Sequence, residues 1–155
     1  MYKEYIRSNN MVDYNKFPSV LKNALKNEGL EFPEETQYEY KPIITFRGIQ
    51  RAQEIKDSEI DSFVICSDDF KSYAELGKKP RGCNTNNASY YSCSLFLSEE
   101  PLKAAFKLPK PNKIICKGKI IDDYGPVYIN YDTGHVDLWL YKNATPEKNF
   151  HVIER

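Results

Sequence analysis

Val127-Tyr128-Ile129-Asn130-Tyr131-Asp132-Thr133-Gly134-His135-Val136-Asp137-Leu138-Trp139-Leu140-Tyr141 is the stretch that decides the fold. Two runs rich in β-branched and aromatic residues flank Asp132-Thr133-Gly134, which has the composition of a hairpin turn. Side chains alternate across a strand, so Val136, Leu138 and Leu140 share one face of the second arm. His135, Asp137, Trp139 and Tyr141 share the other. The pattern predicts an antiparallel hairpin spanning 127–131 and 135–141, with one arm apolar on one side. The runs at 113–121 and 149–153 extend the β reading over most of the last third of the chain.

Working towards the N-terminus, residues 90–97 alternate as a strand. Ser98 is a helix cap, with acids and Pro101 in the first turn of a helix over 99–108 that Pro109 and Pro111 end. Residues 43–47 and 62–66 read as strands, the first closing at Gly48. Phe17, Val20, Leu21, Ala24 and Leu25 recur at spacings of three and four, predicting a helix over 14–28 with Gly29 as its left-handed stop. A short helix is expected at 49–56 and an exposed loop from Gly77 to Ala88. This order predicts an α+β fold, a mainly antiparallel sheet with about three helices. Without repeats or linkers, residues 1–155 read as a single globular domain.

The composition sets outer bounds. With 41% hydrophobic and 14% aromatic residues the chain can bury a core. Lys+Arg and Asp+Glu number 22 each, so no global field gathers nucleic acid or coats a membrane. No run is long and apolar enough to span a bilayer and the first residues lack a signal core, so a soluble, cytoplasmic protein is expected. Cys66, Cys83, Cys93 and Cys116 lack the short spacing of zinc ligands, and no metal site is expected. Three of them fall in apolar strand-like runs and read as reduced, buried thiols.

Charge is uneven along the chain. Residues 28–61 hold nine acids against four bases, and residues 101–121 hold six lysines and no acid. Lys117 and Lys119 point to one side of their strand. With Lys78, Lys79 and Arg81 they form the candidate anion-binding set, for weak binding of polyanions. The loop at 77–82 lacks the spacer and the Lys-Ser/Thr ending of a phosphate loop of the Walker type. Twelve tyrosines, several in or beside strands, offer rigid contact area for a partner or a base.

Arg47 ends an early strand in Thr45-Phe46-Arg47-Gly48. Tyr90-Tyr91-Ser92-Cys93-Ser94-Leu95-Phe96 then carries a Ser-x-Ser pair, followed at once by a helix and a further strand. This order resembles the ADP-ribosyltransferase-like family over roughly residues 43–141. The resemblance implies that Arg47 grips a phosphate of NAD, that Ser92 and Ser94 order the nicotinamide pocket, and that Tyr90 or Tyr91 stacks on the ring. The family's Glu-x-Glu or Gln-x-Glu element is missing. The late-strand acid facing other polar residues is Asp137, with His135 two positions away, and this pair is the catalytic candidate for general acid–base work.

Three functions follow from these residues. The leading one is a binding or inhibitory module for a protein partner, acting through the Tyr-rich sheet and the basic segment. The second is an ADP-ribosyltransferase-like enzyme or toxin-like effector using NAD or another nucleotide. The third is an RNA-directed protein or small ribonuclease, with His135 as base and Lys117 or Lys119 at the phosphates. In the second reading Arg47 is expected to meet a phosphate or Asp137, and its replacement by Ala to leave the fold intact.

Overall fold

The computed structural model describes residues 13–49, 62–82, 84–106 and 114–154. Its elements are α1 (Ser19–Asn27), β1 (Ile43–Ile49), α2 (Tyr73–Leu76), β2 (Cys93–Phe96) and α3 (Glu99–Phe106). They continue with β3 (Ile114–Ile120), β4 (Val127–Asn130), β5 (His135–Leu138) and β6 (Phe150–Glu154). Three helices and an antiparallel sheet make the fold α+β.

The hairpin forms as its turn chemistry dictates. Asn130 Oδ1 accepts from the amides of Asp132 at 3.0 Å and Thr133 at 3.3 Å, closing the reversal between β4 and β5. The six strands lie in the order β4-β5-β2-β1-β3-β6, each paired antiparallel with its neighbour. The early strands β1 and β2 therefore sit at the centre, with the late strands added on both sides. α3 connects β2 to β3 and packs against β1 and β2.

The alternation read in the second hairpin arm separates two apolar clusters. Val136 and Leu138 join Leu95, Ile114, Ile120 and Val127 in the main core. Trp139 belongs to the second cluster, with Phe17, Leu21 and Leu25 from α1 and the segment before it. That cluster is why α1 is amphipathic. Gly125 lets the two layers approach, since at φ +146° it adopts a backbone that side chains resist, and a Cβ there would lie 2.0 Å from the Trp139 carbonyl oxygen.

Several boundaries differ from the sequence reading. Residues 14–16 form a separate turn, because Asp13 Oδ1 accepts from Asn15 N at 2.9 Å and Pro18 lacks the amide to continue it. Of the strand predicted at 62–66, residues 63–66 form no regular element and join no strand of the sheet. The Asp69 carboxylate accepts from Cys66 N at 2.9 Å and bends the chain into a turn at Ser67–Phe70 instead. Tyr90 and Tyr91 lie in a 3-10 turn, not in β2, because Asn87 Oδ1 caps Ser89 N at 2.8 Å. The predicted helix at 49–56 loses Ile49 to β1, and its remaining positions lie outside the described residues, as do Cys83, Lys113 and the end of the helix predicted to 108.

Cys93 and Cys116 are buried free thiols, whereas Cys66 is half-buried and lies outside the sheet. Burial pushes both buried thiols up, Cys116 to about 12, even though the positive charge of Arg47 pulls the other way. At pH 8 the thiolate fraction of Cys116 is then only about one in ten thousand. Thiol titration of the native protein should leave Cys93 and Cys116 silent while Cys66 reacts, and unfolding should release both. Rapid native labelling mapped to Cys116 would contradict this burial.

No helix among the described residues is long and apolar enough to cross a membrane.

Candidate functional site

The sheet order brings together residues far apart in sequence. Ser94 lies directly opposite Asp137, and Phe96 opposite His135, across the β2–β5 ladder. Alternation then places Ser94, Phe96, His135 and Asp137 on one face, while Cys93, Leu95, Val136 and Leu138 point into the main core.

On that face the polar groups form a chain. Ser94 Oγ lies 2.7 Å from His135 Nε2, and His135 Nδ1 lies 3.9 Å from Asp137 Oδ2. The second contact is longer than a hydrogen bond, and it is an ion pair only when His135 is protonated. Asp137 is itself anchored through its other oxygen: Ser89 Oγ donates to Oδ1 at 2.9 Å and Ser92 Oγ at 2.5 Å. The Ser92 hydroxyl also lies 2.9 Å from the Ser89 carbonyl oxygen, which locks its rotamer. The Phe96 ring meets the imidazole edge-on at a centroid distance of 5.1 Å, restricting its tilt. The Asp137 side chain is 10% exposed and that of His135 28%, so the carboxylate is held inside while the imidazole reaches solvent. A carboxylate beside Nδ1 favours the proton there and leaves the Nε2 lone pair for a hydroxyl donor. The arrangement can take a proton from an oxygen nucleophile.

Arg47 is placed differently from expectation. Phe46 pairs with Phe96, so the Arg47 side chain leaves β1 on the face opposite Ser94 Oγ and His135. Its guanidinium donates from Nε to the Asp69 carbonyl oxygen at 2.9 Å and from an Nη to the Ser94 carbonyl oxygen at 2.7 Å. It also lies 5.9 Å from the centroid of the Phe70 ring. Its partners are thus backbone carbonyls, not Asp137. Arg47 clamps the 67–70 turn and β2 to β1, and those carbonyls occupy the fork that a phosphate would need.

Tyr90 is buried, and its hydroxyl donates to the Lys78 carbonyl oxygen at 2.7 Å. Its ring packs edge-on against Tyr91, so it supports the basic loop from below and is not placed to stack on a ligand. Lys78, Lys79 and Arg81 are exposed on that loop. Lys117 and Lys119 stand apart from them on β3. Phe46 pairs with Lys117 as well as with Phe96, so His135, Phe96, Phe46 and Lys117 form one row across four adjacent strands. Three strand spacings put Lys117 roughly 14 Å from His135 on the same face. Lys117 is half-buried, with its ammonium 5.6 Å from the Phe46 ring centroid, and Lys119 is exposed.

Most of the tyrosines serve packing. Tyr124 is buried, Tyr128 and Tyr141 pack on the Trp139 cluster, and Tyr40 donates to the Gly125 carbonyl oxygen at 2.6 Å. A cavity of about 690 Å³ includes Asp13, Lys16, Tyr38, Asp122, Asp123 and Tyr141 in its lining, and does not reach Ser94 or His135. Burial raises Tyr38 to about 12, and burial followed by the charges of Asp122 and Asp123 raises Tyr141. Four carboxylates against two lysines line this cavity, which disfavours a phosphate there.

One participant escaped the sequence reading. Ser89 anchors Asp137 from a turn, and its sole local signal is the Asn87 cap beside it. Ser94 is a candidate from the sequence, but its contact with His135 comes through a register that no local pattern specifies. Among the described residues no group of three His, Cys, Asp or Glu could hold a metal ion. No protein-family model, curated protein or solved structure matches this chain.

Proposed function

We infer that the protein is a cytoplasmic, transferase-like enzyme that acts on NAD or another nucleotide, with His135 as its acid–base group. One observation carries this reading: the strands of Ser94 and of the His135/Asp137 pair are immediate neighbours, so residues that the ADP-ribosyltransferase-like resemblance and the acid–base reading single out meet on one face. Ser94 is 41 positions from His135 and 47 from Arg47, yet it touches both. Within this reading Asp137 orients and polarises His135, while Ser92 and Ser89 hold Asp137. Arg47 keeps β1 and β2 in register. The phosphates fall to Lys117 and Lys119, on the same face as His135 and within reach of an extended nucleotide.

Thermal shift with NAD, ADP-ribose, AMP and a short RNA tests this. NAD at about 100 times its dissociation constant stabilises by about 2.7 kcal/mol, a rise of roughly 5–10 °C for a chain of this size. The rise should vanish when Lys117 and Lys119 are both changed to Glu. His135→Gln should keep the rise and lose nicotinamide release. A melting temperature indifferent to every nucleotide overturns the reading, and a rise with RNA alone would replace it with a ribonucleic acid ligand.

A further inference from the structure

The β2–β5 face supports a chemistry that does not depend on nucleotide binding. We propose that Ser94 Oγ is an activated nucleophile towards acyl and phosphonyl electrophiles, with His135 as its base and Asp137 as the residue that positions the base. The parts stand in the order such a relay requires. The hydroxyl is 2.7 Å from Nε2, and the remaining ring nitrogen faces a carboxylate at 3.9 Å. That second distance is loose, as nucleophile–base–acid contacts often are before a substrate is bound.

Three features set this cluster apart from a chance contact between surface groups. Asp137 is held by two hydroxyls on Oδ1, leaving Oδ2 to face the imidazole. The Phe96 edge restrains the imidazole from the side. Gly134, at φ +77°, and the bond from His135 N to Thr133 Oγ1 at 3.3 Å fix the backbone just before the base. Ser94 itself is half-buried on a central strand, so its hydroxyl is directed while a small electrophile can still reach the partly exposed His135.

The step balances within the chain. Ser94 Oγ bonds to the carbonyl carbon of a carboxylic ester as its proton moves to His135 Nε2. The tetrahedral intermediate collapses with loss of the alkoxide, which takes that proton and leaves as the alcohol. Water, deprotonated by His135, then attacks the acyl carbon of acyl-Ser94. The carboxylic acid departs, and the proton returns to Ser94 Oγ. The substrate class is a small carboxylic ester or thioester, since the cluster lies on a sheet face and not in an enclosed cavity.

A fluorophosphonate probe tests the nucleophile directly, because it phosphonylates activated serines with loss of fluoride. Incubation with the full chain, followed by intact mass and peptide mapping, should show one adduct on Ser94. His135→Gln should slow labelling by about 10²–10⁴-fold, the usual worth of a positioned base. Asp137→Asn should slow it less while the mapped site stays at Ser94. Failure of folded wild-type protein to label, mapping of the adduct to another residue, or an unchanged rate in His135→Gln each overturns the proposal. The wild-type map decides even if a variant fails to fold, and a negative result leaves the NAD thermal shift unaffected.

Discussion

Trp139→Ala should lower stability by about 4 kcal/mol or more, a large part of the roughly 5–15 kcal/mol available to a domain. Trp139 is fully buried, with its ring 4.8 Å from that of Phe32 by centroids, and it joins the second apolar cluster to the sheet. Its indole N–H donates to the Ala88 carbonyl oxygen at 2.8 Å. Truncation leaves both a cavity and an orphaned buried carbonyl next to the turn that carries Ser89. Trp139→Phe separates the two effects: it retains most of the packing and should lose about 1–2 kcal/mol with the hydrogen bond. Urea titration of both variants is the measurement. A loss below about 1 kcal/mol for Trp139→Ala would mean that α1 does not dock on this face. Because Ala88 and Ser89 share a turn, Trp139→Ala should also loosen Asp137 and slow labelling of Ser94.

Arg47→Ala should cost about 3 kcal/mol, not leave the fold intact as a phosphate-gripping role implies. Two carbonyl oxygens lose a charged donor, at 2.9 Å from Asp69 and 2.7 Å from Ser94, and hydrogen bonds to charged groups are worth about 1.5–3 kcal/mol each. Arg47 is only half-buried, so water recovers part of that cost. Arg47→Lys should rescue less than half, because an ammonium cannot reproduce the fork that spans both carbonyls. The check is a pair of denaturation curves with NAD thermal shifts on the same proteins. A variant that unfolds like the wild type yet no longer responds to NAD would return Arg47 to the phosphate.

The hairpin at 127–141 shows how much local sequence decides here. The alternation of Val136 and Leu138 against His135, Asp137 and Trp139 assigned each side chain to a face, and the sheet keeps that assignment. Periodicity is enough for this, because a one-residue slip would turn Val136 and Leu138 out of the main core and put His135 and Asp137 into it. The amphipathic stripe of α1 and the turn at 130–134 were legible for similar reasons. Where a side chain competed for the backbone, pattern misled. Asn87 drew Tyr90 and Tyr91 into a turn, and Asp69 bent the chain at Cys66, at positions that propensity alone reads as strand.

The candidate site was legible residue by residue but not as a site. Ser92, Ser94, His135 and Asp137 stand out as polar residues in or beside strands, and their chemistry is evident from their types. Their meeting depends on β5 pairing with β2 in a register that sets Ser94 opposite Asp137. A strand pairing between residues 39 or more positions apart is a property of the whole sheet, chosen by the summed burial of its strands. Arg47 makes the same point from the other side. Its type and place on β1 suggest an anion grip, but a shift of one residue relative to Phe46 turns it to the opposite face, where the nearest acceptors are backbone carbonyls. The sequence by itself determined which side chains face together along each strand, because that follows from a two-residue repeat of the backbone. Only the tertiary structure decided which strands lie side by side, and therefore that His135 meets a serine while Arg47 does not meet Asp137.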